Sequence, residues 1–167
     1  GKGERIQGQL AHDLSLSAIN LSQFLGNWWA DSYRIIARAN VAIQNIPETP
    51  GLSDNQVNRL QGEARFWRAM NYFNLVKNFG DVPLVLDPVT SLEGIFVSRD
   101  ESDMVYQQII DDLEWAVNNG NLSNVTFANN NFRITEGAAR ALLANVHLQR
   151  AGFPVQNNAA YADAAAQ

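Results

Sequence analysis

Apolar residues recur every three or four positions along most of the chain, and this spacing predicts a succession of amphipathic helices. The first helix is predicted over residues 27–46 and is followed directly by a proline. Its inward positions are Trp29, Tyr33, Ile36 and Ile43. Residues 1–26 read as irregular or weakly helical, so we expect an irregular N-terminal segment there and a helical domain over residues 27–167.

The second helix is marked at both ends. Ser53 and Gln56 have the spacing of a capping box, in which two side chains satisfy backbone donors at a helix start. Gly80 suits the positive φ that closes a helix, and Pro83 prevents the helix from resuming. The helix should therefore run from Ser53 to Phe79. Its two apolar stripes are Val57, Leu60, Ala64 and Trp67, and beside them Phe66, Ala69, Met70, Phe73 and Val76. So wide an apolar arc predicts that neighbours cover this helix on two sides.

The remaining elements follow in the same way. The stretch GDVPLVLDPV reads as an extended strap, and a third helix is predicted over residues 102–118. A fourth helix should begin at Thr135, a typical N-cap residue, and end at Gly152. A fifth helix begins within residues 158–167. The inward positions of the third helix are Val105, Ile109, Ile110, Leu113 and Ala116, and the apolar positions of the fourth are Ala138, Ala141, Leu142, Ala144, Val146 and Leu148.

The two halves of the chain repeat each other. At an offset of 72 residues the second helix matches the fourth, and at an offset of 73 the first matches the third. The matched pairs include Arg68 with Arg140, Ala69 with Ala141, Gly80 with Gly152, Tyr33 with Tyr106 and Ile36 with Ile109. The unit is a helical hairpin, present about residues 27–79 and 102–152. We therefore predict an all-α fold of tetratricopeptide-like stacked helical hairpins, an α-α superhelix with irregular loops.

Composition excludes several functions. The chain has 17 acidic and 12 basic residues, a net charge of −5, and only two lysines, so it offers no basic stripe for nucleic acid. It has no cysteine, which excludes disulfides, thiol nucleophiles and cysteine-ligated metal. Its 19 Asn and 11 Gln supply donors and acceptors that suit sugar hydroxyls, although a solvated amide-rich surface is the simpler interpretation.

Four blocks in order resemble the SusD/RagB family. The most specific is GEARFWRAMNYFNLVKNFGDVPLV, in which an Arg-containing helix leads through a Tyr-Phe pair to a Phe-Gly-Asp-Val-Pro-Leu strap. The others are WWADSYRIIARAN upstream, and SRDESDMVYQQIIDDLEWAV and ITEGAARALLANVHLQRAG downstream. The blocks lie within residues 28–152, and the resemblance as a whole covers approximately residues 27–167.

The resemblance implies a cell-surface protein of Bacteroidota that is held to the outer membrane by a lipid anchor. Such proteins capture glycans, or in some cases peptides, and pair with a SusC-like TonB-dependent transporter for uptake. The resemblance also implies an anchor segment upstream and a more variable half downstream, so we expect this chain to be part of a larger SusD-like protein. No cofactor is expected.

Trp28 and Trp29 are the candidate ligand-binding residues. They are adjacent, so on a helix their side chains point about 100° apart and cannot face the same core. We expect one to be buried and the other to be exposed. An exposed Trp can stack on a sugar ring or anchor a protein interface, and a purely structural role for both remains the alternative. In the family most of the ligand site lies in other segments.

The charged residues predict structural rather than catalytic roles. Glu63, Arg65 and Arg68 are expected to form a partly buried ion-pair network between hairpins, and His147 to be a packed histidine. Asp111, Asp112 and Glu114 are the best carboxylate cluster, and we expect these acids to be solvated. A glycosidase needs two carboxylates opposed across a sugar, so glycoside hydrolysis is disfavoured. We predict no catalytic residue and no metal site. The alternative function is a tetratricopeptide scaffold that binds a protein or peptide.

Overall fold

The fold consists of helices joined by irregular segments. A computed structural model describes residues 18–89, 97–152 and 155–167, with side chains from residue 25 onwards except that of residue 127. The helices are α1 (Ala18–Asn45), α2 (Asp54–Phe79), α3 (Ser102–Asn119), α4 (Glu136–Ala151) and α5 (Ala160–Ala165). Short 3-10 helices cover Ile46–Glu48 and Phe127–Asn130. The predicted all-α class is confirmed.

The first helix is longer than predicted. It begins at Ala18 rather than near residue 27, so the expectation of an irregular segment is wrong for residues 18–26, while residues 1–17 lie outside the described part of the chain. Leu21, Phe24, Leu25 and Trp28 follow the i, i+3, i+4, i+7 spacing of an amphipathic helix, so the periodic pattern extends into this stretch and the predicted start was placed too late. The chain divides into two units, Gly1–Arg34 and Ile35–Gln167, and α1 contributes residues to both.

Within the second unit successive helices run antiparallel. As numbers rise along α2 they fall along α3, because Gly62 meets Gly120, Arg68 meets Asp112, and Phe73 meets Tyr106. Helix α4 packs on α3, and α5 packs on α4. This arrangement is the predicted stacking of helical hairpins.

The ends of α2 are built as the sequence predicts. The backbone N–H of Ser53 donates to Oε1 of Gln56 at 2.9 Å, which is the Gln half of the capping box. At the other end Gly80 has φ +67° and its N–H donates to the carbonyl of Val76. Thr135 caps α4 in the predicted way, since its Oγ1 accepts a hydrogen bond from the N–H of Ala138.

Only one of the two stripes of α2 is buried, and within it Met70 is half-buried. Phe66, Ala69, Phe73 and Val76 form part of the core, whereas Trp67 is 47% exposed and its stripe neighbours are half-buried. The contacts with α1 and α3 come from Gln61, Arg68 and Phe73, which lie about 100–120° around the helix from Trp67. The neighbouring helices α1 and α3 therefore contact α2 beside the Trp67 stripe and do not cover the stripe itself.

The strap after α2 is held by side chains rather than by a sheet. The hydroxyl of Tyr72 donates to the carbonyl of Val85 at 2.8 Å and accepts from its N–H at 2.7 Å. Val82 is fully buried and forms an isolated antiparallel bridge with Asp100. Burial raises the pKa of Tyr72 to about 12, so the hydroxyl keeps its proton across the neutral range.

Of the six apolar positions that the sequence marks on the fourth helix, only Val146 is buried. All five inward positions of α3 are buried as expected, but in α4 the buried set is Ala139, Leu143, Val146, His147 and Ala151. Ala141 and Leu148 are exposed, although their copies in α2, Ala69 and Val76, are core residues. The repeat in sequence is thus not a repeat in burial.

We expect Gly62→Ala to destabilise the fold. A Cβ at residue 62 would lie 2.9 Å from Cα of Gly120, and because that neighbour is backbone, α2 and the end of α3 would have to separate. We expect a loss of about 1–3 kcal/mol in the free energy of unfolding, measured by urea denaturation.

Gly137→Ala is the matched control, because no described atom lies within 4 Å of a Cβ built there. It should leave stability unchanged or raise it by about 0.5–1 kcal/mol, as alanine does in an open helix position. Equal stability of the two variants would show that the α2–α3 approach is not tight.

Candidate functional site

The two candidate tryptophans lie in the first unit, on α1. Trp28 and Trp29 are both half-buried, so the expectation that one is buried and the other exposed is wrong. The rings of Trp29 and Tyr33 are tilted by 42° with centroids 5.1 Å apart, one helical turn apart on the same face. Each tryptophan thus combines partial burial with partial exposure. Their ligand-binding role stays a prediction.

The acid cluster on α3 contains a buried ion pair. Asp112 is 0% exposed and receives two hydrogen bonds from Arg68, Nε to Oδ2 and Nη2 to Oδ1, each 2.7 Å long. Arg65 adds a third contact, from Nη1 to Oδ1 at 3.1 Å. The expectation that Asp112 is solvated is therefore wrong, because α2 presents two guanidinium groups to it from positions i and i+3.

Arg68 also reaches the other neighbours of α2. Its Nη1 donates to Oδ1 of Asn40 on α1 at 2.9 Å and to the carbonyl of Leu86 in the strap at 3.3 Å. Asn40 in turn donates from Nδ2 to the carbonyl of Val85 at 2.9 Å. One buried guanidinium therefore connects α1, α2, the strap and α3, and Asp112 serves as its counter-ion.

Glu63 has a different partner from the one predicted. It accepts two hydrogen bonds of 2.7 Å from Arg133, in the loop before α4, and does not pair with Arg65 or Arg68. This bidentate contact holds the pKa of Arg133 above its usual value. The repeat copy of Arg68, Arg140, bonds within its own helix to Glu136 and is partly exposed.

Phe132 in the same loop is 72% exposed, with φ +59°. The loop that carries Phe132 is tied to α2 by the ion pair between Arg133 and Glu63. The side chain of Phe127 lies outside the described part of the structure.

A polar cavity of about 250 Å³ lies between α3, α4 and α5. It is lined mainly by Gln107, Glu114, His147, Arg150, Asp163 and Gln167. A second cavity of about 260 Å³ adjoins it and shares Glu114, Ala166 and Gln167 with it. Sequence reasoning missed this site, because its residues come from three separate helices, although the replacement of Leu75 by His147 in the repeat was a signal.

His147 is packed, as predicted. It is 4% exposed, its Nδ1 has no hydrogen-bond partner among the described residues, and Oδ2 of Asp163 is 4.0 Å from it. Burial lowers the pKa of His147, while the carboxylates of Asp163 and Glu114 oppose that shift and Arg150 reinforces it. At neutral pH the ring is therefore uncharged.

Two further properties concern only the described residues. Within residues 18–89, 97–152 and 155–167 no three His, Asp or Glu side chains are grouped so that they could hold a metal ion. None of the helices described there combines the length and the apolarity that crossing a bilayer requires.

Comparison with known proteins identifies similar chains. The sequence profile of a SusD-like family described as "Starch-binding associating with outer membrane" matches residues 9–148. SusD-like protein P2 of Formosa agariphila is 35% identical over 130 residues, which are 75% of this chain and 24% of that protein.

Two solved structures have a similar fold. A SusD superfamily protein from Parabacteroides distasonis superposes with a TM-score of 0.82 at 34% identity, over 95% of this chain and 33% of that one. A protein described as a laminarin binding SusD-like protein gives a TM-score of 0.70 at 33% identity, over 82% of this chain and 28% of that one. This chain thus spans about a quarter of the length of its curated relative.

We expect Asp112→Asn to lower the free energy of unfolding more than substitution of any exposed acid. It leaves the buried Arg68 without a counter-ion, which should lower the free energy of unfolding by about 3–5 kcal/mol in urea denaturation. The double variant Arg68→Met with Asp112→Leu should recover most of that loss, because it removes both charges together.

Glu136→Gln is the control for an exposed pair, with Arg140 and Glu136 side chains 41% and 33% exposed. It should change stability by about 0–1 kcal/mol. If Asp112→Asn is no more destabilising than Glu136→Gln, the buried ion pair does not organise the fold.

His147 should make stability depend on pH. Its folded pKa lies below the unfolded value near 6.5. Below pH 6.5 the unfolded chain therefore takes up a proton that the folded chain does not, and stability falls as the pH falls through that window. The free energy of unfolding, measured at intervals from pH 7.5 to 5, should show this decline.

His147→Leu, which restores the residue of the repeat copy, should flatten the decline. An identical pH dependence in wild type and His147→Leu would assign the effect to other groups.

Proposed function

The chain belongs to the SusD/RagB family, and from this membership we propose that the protein binds glycans at the bacterial cell surface and passes them to a SusC-like TonB-dependent transporter. The mechanism is capture and hand-over, in which no covalent bond is made or broken. The observation that carries the proposal is the SusD-like family match over residues 9–148.

A glycan as ligand is supported by a relative and by the chemistry of the chain. The SusD-like protein described as laminarin binding is 33% identical to this chain and has a TM-score of 0.70. Trp28 and Trp29 are partly exposed aromatic residues, of the type that stacks on sugar rings. In this proposal they form the part of the ligand site that lies on α1, and segments outside this chain contribute the rest.

The proposed location is the outer membrane, in agreement with the description of the family. Attachment would be through a lipid anchor in a segment outside this chain. The stacked hairpins form a firm scaffold because the buried ion pair joins α1, α2, the strap and α3. In the proposal this scaffold docks on the transporter barrel.

Binding without catalysis fits the state of the carboxylates. Asp112 is buried against Arg68, and Asp111 is an exposed acid of the same helix that accepts a hydrogen bond from Gln107, so these two carboxylates do not oppose each other across a sugar. We therefore propose that glycans leave the protein unchanged.

The test is binding to an array of glycans that includes laminarin, starch and xyloglucan fragments. Wild type should bind at least one glycan, and Trp28→Ala or Trp29→Ala should weaken binding about tenfold, a typical loss when an aromatic contact to a ligand is removed.

Trp67→Ala, which removes a tryptophan 47% exposed on α2, is the matched control and should bind as wild type does. Turnover of any glycan would contradict the capture mechanism. If no glycan binds but a protein or peptide does, the result would favour the tetratricopeptide scaffold instead.

A further inference from the structure

We propose that Asn119 is a site of covalent modification, at which spontaneous deamidation converts the side-chain amide to an acid when the contact between α2 and the end of α3 opens. The inference is independent of the proposed function. It rests on the chemistry of one dipeptide, Asn119-Gly120, and on the packing around it.

The sequence contains a single Asn-Gly pair. Of its 11 glycines only Gly120 follows an asparagine, and none follows an aspartate. Glycine is the residue that most favours deamidation of a preceding asparagine, because without a side chain its backbone nitrogen can approach the amide carbon closely. The other asparagines precede larger residues and are therefore less reactive.

The reaction needs no partner except water. The backbone nitrogen of Gly120 bonds to Cγ of Asn119, the Cγ–Nδ2 bond breaks, and ammonia leaves with the proton of the attacking nitrogen. Water then opens the resulting cyclic imide at either of its carbonyl carbons. One product is aspartate, and the other is isoaspartate, in which the main chain passes through the side-chain carbonyl and is longer by a methylene group. Both products carry a negative charge where the protein had a neutral amide.

Packing requires glycine at residue 120 and so keeps the reactive pair in place. A Cβ on Gly120 would lie 2.3 Å from the carbonyl oxygen of Ala116 and 3.1 Å from Cα of Gly62. Both neighbours are backbone atoms, so a change of rotamer cannot relieve these contacts. The close approach of α2 and α3 thus depends on the same residue that makes Asn119 reactive.

The folded chain protects the pair. The side chain of Asn119 is exposed, but the attacking nitrogen belongs to the buried Gly120 and donates a hydrogen bond to the carbonyl of Ala116 at 3.2 Å. A nitrogen that is bonded in the last turn of a helix cannot lose its proton and turn toward the amide carbon. Deamidation therefore requires this turn to open first.

The residues after Gly120 also have to move. Asn121 donates from Nδ2 to Oδ1 of Asn55, near the start of α2, at 3.1 Å, and Leu122 is only 8% exposed. Residues 120–122 must leave α2 before the backbone at Asn119 can rotate. Local openings of this kind occur without global unfolding, so the population of the open state sets the rate of reaction.

Deamidation makes the opening permanent. The new acid lies at the C-terminal end of α3, where the helix dipole disfavours negative charge. The extra methylene group of isoaspartate displaces Gly120 relative to Gly62, and a Cβ on either glycine would already lie 2.9–3.1 Å from Cα of the other. The modification is thus a one-way change that loosens the contact between α2 and α3.

Peptide mapping by mass spectrometry tests the inference. The folded protein and the protein unfolded in guanidinium chloride are incubated at mildly alkaline pH, and an isoaspartate-specific methyltransferase labels the isomerised product. Asn118 is the internal control, because it is also exposed but precedes an asparagine. In the unfolded chain Asn119 should react at least about tenfold faster than Asn118. In the folded chain Asn119 should still be converted, but more slowly than in the unfolded chain.

Variants test the dependence on the contact. Gly62→Ala, which forces α2 and α3 apart, should raise the rate at Asn119 in the folded protein about fivefold or more, and Asn55→Ala, which removes only the tie to Asn121, should raise it by a smaller factor. Gly137→Ala is the matched control and should not raise the rate, because a Cβ there meets no described atom within 4 Å. In guanidinium chloride all these chains should react equally.

Three results would overturn the inference. If Asn119 reacts no faster than Asn118 in the unfolded chain, the pair is not reactive. If the folded wild type shows no conversion of Asn119, the site is not modified. If neither Gly62→Ala nor Asn55→Ala accelerates the reaction of the folded protein, the contact between α2 and α3 does not control it. Asn55→Ala keeps this last test valid even if Gly62→Ala fails to fold.

Discussion

The ion pair between Arg68 and Asp112 is the contact on which the second unit of this protein depends. Both side chains are buried, so each charge would be strongly unfavourable without the other. The pairing fixes the register at which α2 and α3 meet. The remaining donor of Arg68 then holds Asn40 on α1 and Leu86 in the strap. A single guanidinium thus connects α1, α2, the strap and α3. Its need for a counter-ion explains why Asp112, one of the acids considered as a catalytic candidate, is structural.

The second hairpin lacks this arrangement. At the position of Arg68 it has Arg140, which bonds to Glu136 in its own helix, and at the position of Leu75 it has His147. The first hairpin is therefore closed by charge pairing and by the strap, while the second contains the polar cavities. Copies of one sequence unit have become a rigid support and a space lined by donors and acceptors.

Much of the fold could be predicted from the sequence because its signals are local. Capping residues, the glycine with positive φ at the end of α2, and apolar spacing act within a few residues, and they placed α2, α3, α4 and the strap correctly. Trp67 shows the limit of the same reasoning. Apolar spacing counts it as a core position, yet the directions from which α1 and α3 contact α2 leave it half-exposed. The candidate site was harder still to predict, since the cavity residues Gln107, His147 and Asp163 come from three helices with no shared motif.

The sequence by itself determined the all-α class, the repeated hairpin and the resemblance to one family, because these depend on local spacing and on four ordered blocks of residues. Only the tertiary structure decided which copy of each repeated residue is buried. Ala69 and Val76 are enclosed, whereas Ala141 and Leu148 are exposed, although the sequence treats them as equivalents. It also decided that Asp112 is a counter-ion, that Glu63 pairs with Arg133, and that His147 faces a cavity. The physical reason is that burial and ion pairing are properties of neighbours brought together from distant parts of the chain, and those neighbours are set by helix register and packing direction.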